Sequence, residues 1–315
     1  MKVDHTSLSI VVPAYNSHET LPLLVEQIEL VLKDLVPSYE LILVNDGSPD
    51  NTWEVIQMLC ASHPWVKGIN LMRNFGQHNA LLCGIRAARH DVIITMDDDL
   101  QHPPREIPVL LNSLTPDFDV IYGFPRKLPH SLWRNMFSRA TKRVLAFVMG
   151  IKTVREISAF RCFRSSLRPA FESYSHPNVI VDVLLSWGTT RFGSVQVDEE
   201  PRTHGASNYN FGKLVAQSFL ILTGFSTVPL RFASWLGFVF TLFGIGIFIY
   251  VLYIYFALGS IPGFPFLASI IALFSGMQMF ALGIFGEYLA RMFDRSMDRP
   301  TYVIAHSLNN QVDNP

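Results

Sequence analysis

Val92-Ile93-Ile94-Thr95-Met96-Asp97-Asp98-Asp99-Leu100-Gln101 is the stretch that decides the fold. Its first half is a short apolar run without polar alternation, the pattern of a strand covered on both faces, and its second half is a polar turn. Strands covered on both faces belong to parallel sheets flanked by helices. The same unit recurs upstream: Leu8–Pro13 runs into Ala14-Tyr15-Asn16, and Glu40–Val44 runs into Asn45-Asp46-Gly47-Ser48. Val66–Leu71 and Asp119–Gly123 read as further strands, with helices predicted near Leu21–Leu35, Thr52–Ser62 and Asn79–Arg89. Strand alternating with helix predicts an α/β domain around a mostly parallel, Rossmann-like sheet. Ligands of such sheets bind beyond the carboxyl ends of the strands. The polar clusters after strands one, two and four fall at that edge.

The acidic turn carries the strongest chemical signal. A hard divalent cation such as Mg²⁺ is held by one or two carboxylates, with substrate phosphates completing its shell. Alternation along an extended chain would send Asp97 and Asp99 to one side, with Gln101 continuing that side as an amide oxygen. A solvated acidic loop that caps a helix before Pro103-Pro104 is the alternative. The Asn45–Asp50 stretch is turn-forming; its carboxylates suit either a nucleobase contact or a helix N-cap. Neither GxGxxG nor GxxxxGK[ST] occurs, so phosphates are expected on metal and arginine rather than in a glycine cradle. His78 and His102 lack zinc-site spacing and read as surface or turn residues.

Composition narrows the class. Hydrophobic residues make up 49% and charged residues 16%, with net charge −1 and no basic stripe, so a nucleic-acid partner is not expected. Cys60, Cys83 and Cys162 form no CxxC pair and read as reduced core thiols. The first residues do not read as a signal peptide, and the front domain is expected in the cytosol.

The apolar excess lies late in the chain. Phe232–Leu258 and Phe264–Leu289 are each long enough to cross about 30 Å of hydrocarbon, joined by Gly259–Gly263. Arg231 flanks the first, and Arg291, Arg295 and Arg299 follow the second, so both outer ends are expected in the cytosol. Residues 1–210 are then the globular domain, 211–231 an interfacial helix, 232–290 two transmembrane helices and 291–315 a cytosolic tail, loose after Ala305. Leu132–Gly150 reads equally as a basic amphipathic helix for a membrane surface and as an ordinary packed helix, and the downstream spans favour the first. Gly244, Gly246, Gly276, Gly283 and Gly286 allow close helix packing and suggest a homo-oligomer, with a tetramer among the candidate states.

Five stretches together carry a resemblance: VVPAYN (Val11–Asn16), VNDGSPDNT (Val44–Thr52), RNFGQHNAL (Arg73–Leu81), DDDLQHPP (Asp97–Pro104) and RTHGASNY (Arg202–Tyr209). With VPLR (Val228–Arg231), GEY (Gly286–Tyr288) and RPTY (Arg299–Tyr302), the chain resembles the polyprenyl-phosphate glycosyltransferases of glycosyltransferase family 2. The resemblance implies a GT-A domain with a two-helix transmembrane hairpin, in the inner membrane of the cell as a multi-pass protein. It implies inverting transfer from a nucleotide-sugar, UDP-glucose-like, to undecaprenyl or dolichyl phosphate. By it, Pro13, Tyr15, Val44 and Asp46 line the nucleoside, Asp97 and Asp98 lie by ribose and sugar, and Asp97, Asp99 and Gln101 hold Mg²⁺ or Mn²⁺. Arg126 would reach a phosphate, Arg134 and Ser138 would bind the acceptor phosphate, and Arg202 would arrive from a loop. Three positions depart from the family pattern: Ser17 replaces an acid, Asn208 replaces a lysine, and Glu156 is the nearest acid upstream of Phe160-Arg161. A processive polysaccharide synthase is the rival enzyme, though QxxRW is missing; a non-catalytic membrane scaffold is the rival of another class.

Overall fold

Short β-branched runs in this chain bury both faces, so they become the middle of a sheet and the amphipathic stretches between them become its cover. The computed structural model describes residues 7–125, 157–176, 178–200, 227–258 and 263–309. The described residues fall in two compact units, one within Met1–Val215 and Asp298–Pro315, the other within Ala216–Met297.

In the first unit, β1 (Ser7–Ala14), α1 (Leu21–Leu32), β2 (Ser38–Asn45), α2 (Thr52–Ser62), β3 (Val66–Leu71), α3 (Gln77–Ala87) and β4 (Val92–Thr95) follow in alternation. They are succeeded by α4 (Ile107–Ser113), β5 (Val120–Pro125), β6 (Arg161–Arg164), α5 (Val181–Gly188), β7 (Phe192–Val197) and β8 (Ile304–Leu308). The described strands form one sheet in the order β7-β5-β6-β4-β1-β2-β3-β8. The run β4-β1-β2-β3 is parallel, as expected. The flanks are mixed: β6 is antiparallel to both β4 and β5, and β8 is antiparallel to β3. The stretch after Ala305, expected to be loose, instead places His306, Ser307 and Leu308 in a paired strand. Thr301 is buried just before it, and the Asn309 amide donates to the Cys60 and Val66 carbonyls at 2.8 and 3.0 Å.

The helices cover the sheet by the spacing of their apolar residues. In α1, Leu21, Leu24, Val25, Ile28 and Leu32 are buried, one stripe at helical period. Helix α3 lies so close to β1 that a Cβ on Gly84 would stand 2.3 Å from Val11 Cγ1, so only glycine fits there. Cys60, Cys83 and Cys162 are all buried, and burial pushes the first two thiols up to about 11 and about 12.

Two buried charge clusters tie the sheet together. Near the amino ends of the strands, Glu40 pairs with Lys67 and accepts from Ser9 Oγ at 2.6 Å and the Arg89 N–H at 2.7 Å. Near the carboxyl ends, Arg161 pairs with Asp182 and its Nε donates to Thr95 Oγ1 at 2.9 Å, while the Tyr122 hydroxyl donates to Asp182 at 2.8 Å. Burial pushes His78 beside this second cluster down to about 4, with Asp182 opposing and Arg161 assisting. His102 is buried as well, stacked on Phe160 at 5.2 Å. It lies in the turn after β4, as one of the two expected placements has it, but its ring is taken up in an apolar contact and does not reach the surface.

The second unit consists of α6 (Val228–Leu258) and α7 (Phe264–Ser296). Phe240 meets Phe274 at 6.0 Å, and the Leu230 N–H donates to the Tyr288 hydroxyl oxygen, so residue numbers rise along one helix as they fall along the other. The helices form an antiparallel hairpin. Among the described residues one segment, Val228–Ala257, with mean hydropathy 2.3, is long and apolar enough to cross a membrane. At the far end of α7, Arg291 donates to Glu287 at 2.6 Å, one turn apart.

The Glu40 cluster has a pH signature. Burial pushes the Glu40 carboxyl up, but Lys67, Ser9 and the Arg89 N–H together hold it below its ordinary 4.5. A carboxylate lowered by folding stabilises above its unfolded value, and that contribution is lost as pH falls through the folded one. Glu40→Gln should therefore lower the melting temperature of the detergent-solubilised protein most at neutral pH. The gap to wild type should narrow as pH is taken from about 6 to 3, which thermal unfolding at stepped pH measures.

Candidate active site

The carboxyl edge of the sheet opens where β1 loses its neighbour. β1 pairs with β2 as far as Ala14, but with β4 only as far as Val11. Pro13, having no N–H to offer a strand, sits just past that point. Into the gap open the loop after β1 and the turn after β4. An open cleft of about 340 Å³ lies there, lined by Pro13, Ala14, Tyr15, Asp46, Asn74, Gly76, Gln77, Asp97, Asp98 and Asp99.

The structure thus brings together Pro13, Tyr15, Asp46, Asp97, Asp98 and Asp99 of the residues expected at the site. Val44 lies outside the lining, wholly buried in β2. Arg126, Arg134, Ser138 and Arg202, and likewise Glu156 and Asn208, lie outside the described residues. The expected alternation through Gln101 does not hold. Leu100 takes φ +60°, which breaks the extended chain; all three aspartates border the cleft, and Gln101 lies off it with its N–H donating to Asp99 Oδ1 at 3.1 Å. A left-handed leucine costs roughly 1–2 kcal/mol, offset here by packing of its side chain on the core. Asn16, on the facing loop, is also left-handed at φ +58°.

Each carboxylate has a different environment. Asp46 is 3% exposed, and its two oxygens accept from the Phe75 and Gly76 N–H groups at 2.7 and 2.8 Å. Burial raises its carboxyl above the ordinary value against those two donors. Gly47 beside it has φ +63°, and a Cβ there would sit 2.3 Å from the Arg73 carbonyl carbon, so the two loops touch backbone to backbone. Asp98 accepts from the Ser17 hydroxyl and from the Tyr15 N–H, the latter at 3.2 Å. Burial raises the Asp98 carboxyl, with Ser17 and the Tyr15 N–H opposing and Asp99 adding to the rise. Asp97 accepts from Gln77 Nε2 at 2.6 Å. Tyr15, 46% exposed, stands at the rim.

Five cleft or cleft-side residues had no role assigned from the sequence: Ala14, Ser17, Asn74, Gly76 and Gln77. Ser17 was visible only as a departure from a family pattern. The structure gives it a purpose, since a hydroxyl donor stands against Asp98 where an acid would bring a second negative group. Asn74, Gly76 and Gln77 lie in the Arg73–Leu81 stretch, whose polar start shows no periodicity.

The donor set fits a hard cation. It consists of carboxylate oxygens, and among the described residues no three His, Cys, Asp or Glu side chains converge as a self-sufficient metal cage. One or two carboxylates with remaining positions left to a diphosphate is the arrangement Mg²⁺ or Mn²⁺ uses in such sites.

A mixed α/β sheet with an acidic turn at its switch point defines the GT-A class of nucleotide-sugar enzymes. Residues 9–172 match the family described as Glycosyl transferase family 2. The chain is 31% identical over 308 residues to the undecaprenyl-phosphate 4-deoxy-4-formamido-L-arabinose transferase of Pseudomonas fluorescens, covering 96% of this chain and 90% of that one. It is 33% identical to the enzyme of the same name from Shewanella sediminis, covering 94% and 91%. Among solved structures it resembles glucosyl-3-phosphoglycerate synthase from Mycobacterium tuberculosis, solved with Mn²⁺, UDP and phosphoglyceric acid, with TM-score 0.51 and 19% identity over 70% of this chain and 77% of that one. That likeness concerns the fold. The chain belongs to glycosyltransferase family 2 and is a glycosyltransferase.

The Asp46 contacts can be tested directly. Asp46→Asn leaves one of the two N–H groups facing an amide NH₂, and an unsatisfied buried donor costs about 1–3 kcal/mol. The variant should melt earlier and exchange the Phe75 and Gly76 amide hydrogens faster, as hydrogen–deuterium exchange would register.

Proposed function

We propose that the chain transfers a sugar, with inversion, from a nucleotide-sugar to a polyprenyl phosphate at the cytosolic face of a membrane, giving a polyprenyl-phosphate-linked sugar. The observation that carries this reading is the cluster of three consecutive carboxylates facing Tyr15 across the cleft. It is supported by relatives named as undecaprenyl-phosphate sugar transferases that match along 94–96% of the chain, both helices included. The donor we propose is a UDP-sugar, glucose-like; the sugar in the relatives' names is a formamido-arabinose.

The acceptor supplies much of the chemistry. A phosphate monoester has its second pKa near about 6 and is mostly dianionic at neutral pH. Such a nucleophile needs no strong base from the protein. A single displacement at the anomeric carbon then forms the sugar–phosphate bond as the bond to the nucleoside diphosphate breaks. Asp97 and Asp99 would hold a divalent cation, with Gln101, off the cleft, left out of that set. When bound, Mg²⁺ or Mn²⁺ offsets the charge that develops on the leaving diphosphate. Pro13 and Tyr15 bound the nucleoside end, Val44 supports that wall from the core, and Asp98 faces ribose and sugar. Arg126, Arg134, Ser138 and Arg202 are proposed to orient the anionic groups.

Both helices of the hairpin are proposed to span the membrane, with Arg231 at one outer end and Arg291, Arg295 and Arg299 at the other, both cytosolic. The acceptor and enzyme then share a surface, which raises their effective concentration. Gly244 packs on Phe274 within the hairpin, while Gly246, Gly276, Gly283 and Gly286 have open space over them, and a homo-oligomer in the membrane is part of the proposal.

The test is nucleotide release by the full chain in nanodiscs with Mg²⁺ or Mn²⁺, a panel of UDP- and GDP-sugars, and short polyprenyl phosphate present or absent. Release that requires both the lipid phosphate and one donor is expected. Asp99→Ala should reduce it by roughly 10²-fold or more, since electrostatic stabilisation of the transition state is the term it supports. Release that is indifferent to the lipid, or an Asp99→Ala enzyme of near wild-type rate, would overturn the reading.

A further inference from the structure

Gln77 opens α3 on the rim of the cleft, and its side chain is exposed. Residues at the start of a helix commonly spend their side chains on the first free N–H groups, but α3 shows no side-chain cap bond. The Gln77 amide reaches across the cleft instead, donating to Asp97 Oδ1 at 2.6 Å. Twenty residues of sequence separate the two. The contact exists because the sheet sets the loop after β3 beside the turn after β4.

The placement of Gln77 is itself determined. Asp46 accepts from the N–H groups of the two preceding residues, Phe75 and Gly76. Gly76 takes φ +96°, a left-handed backbone that glycine enters without strain. Gly47 lets the Asp46 loop touch the Arg73 backbone. A chain of fixed contacts thus runs from the buried Asp46, through the backbone of residues 75–76, to the amide that holds Asp97.

We propose that Gln77 is a positioning residue for the acidic turn, orienting Asp97 to receive a cation-bound nucleoside diphosphate; this rests on the reading of the cleft given above. A carboxylate on an open turn otherwise samples several rotamers, and an amide donor selects one before the ligand arrives. The bond is charge-assisted and stronger than a neutral one. Partners of this kind around metal-ligating carboxylates commonly change metal affinity by about 10–100-fold when removed. The role also assigns Asp46 a duty apart from any nucleobase contact, since its two oxygens already serve the loop that carries Gln77.

The experiment uses the full chain in detergent, as wild type, Gln77→Ala and Gln77→Met. Methionine keeps the length and loses the donor. Free Mn²⁺ is followed by electron paramagnetic resonance during titration with UDP or GDP present, melting temperatures are recorded, and kinetics are measured against metal concentration. Both variants should bind Mn²⁺ with nucleotide about 10–100-fold more weakly. Their melting temperatures should match wild type, and kcat should be largely recovered at saturating metal. Equal binding by wild type and both variants overturns the role of Gln77 and leaves the donor-site reading standing. Weaker binding accompanied by an equal loss of thermal stability also overturns it, since Gln77 would then act through the fold. A wild-type protein that binds no Mn²⁺ with either nucleotide overturns the donor-site reading and this proposal together.

Discussion

The structure turns on the length of one strand pairing. β1 is hydrogen-bonded to β2 over its whole length but to β4 over only its first part, ending at Val11 and Thr95. Had β4 continued, its carboxyl end would have met Pro13, which has no N–H for a neighbour. The two chains part there instead. β2 and β3 had extended the sheet on one side of β1, and β4 crosses to the other, so the parting coincides with the reversal of strand order. A crevice at such a reversal is where open α/β sheets hold ligands. The acidic turn, the Tyr15 loop and the start of α3 share a cleft because of that geometry, although up to some eighty residues separate them.

The Glu40 cluster and the cleft carboxylates use buried charge in opposite ways. Near the amino ends, Glu40 is paired, doubly hydrogen-bonded and held below its usual pKa. It is a closed site in which every contact favours the ionised form. At the cleft, the buried Asp46 and the half-buried Asp98 have raised pKa values, and backbone N–H groups and one serine hydroxyl are their partners. A left-handed Leu100 lies next to them. Strain and incompletely compensated charge gathered on one edge identify the edge that works on something else.

The central strands were legible because burial on both faces leaves runs such as Ile10–Val12 and Ile93-Ile94 that no solvated element would carry. Helix α2 was legible to the residue, since Trp53, Ile56 and Cys60 repeat at helical spacing. β6 was not, because Arg161-Cys162-Phe163-Arg164 is short and charged at both ends, and the Asp182, Thr95 and Tyr122 partners that let Arg161 be buried are distant in sequence. β8 was missed for a similar reason: Ile304-Ala305-His306-Ser307-Leu308 has too little apolar character to announce a strand, and it forms because the edge of β3 offers unpaired backbone. At the site the acidic turn was legible as chemistry but not as geometry. Extended alternation assumed φ values that Leu100 does not take, and Gln77 had no signal because its partner is distant in sequence.

The charges around the cleft constrain what can occupy it. Among the described residues, the carboxylates that line it are all aspartates, Asp46, Asp97, Asp98 and Asp99, and no lysine or arginine lines it beside them. At an effective dielectric constant near about 20, two unit charges about 4 Å apart interact by about 4 kcal/mol, so a bare diphosphate beside this turn would be repelled by more than stacking on one tyrosine returns. In the proposed reading the balance turns when the anion arrives with a divalent cation, which would make ligands of Asp97 and Asp99 instead of repulsive neighbours. Under the donor-site reading we propose, acid at the mouth of the cleft works as selection for phosphate in its metal-bound form, and the orientation of the carboxylates, rather than their number, sets how tightly that form is held.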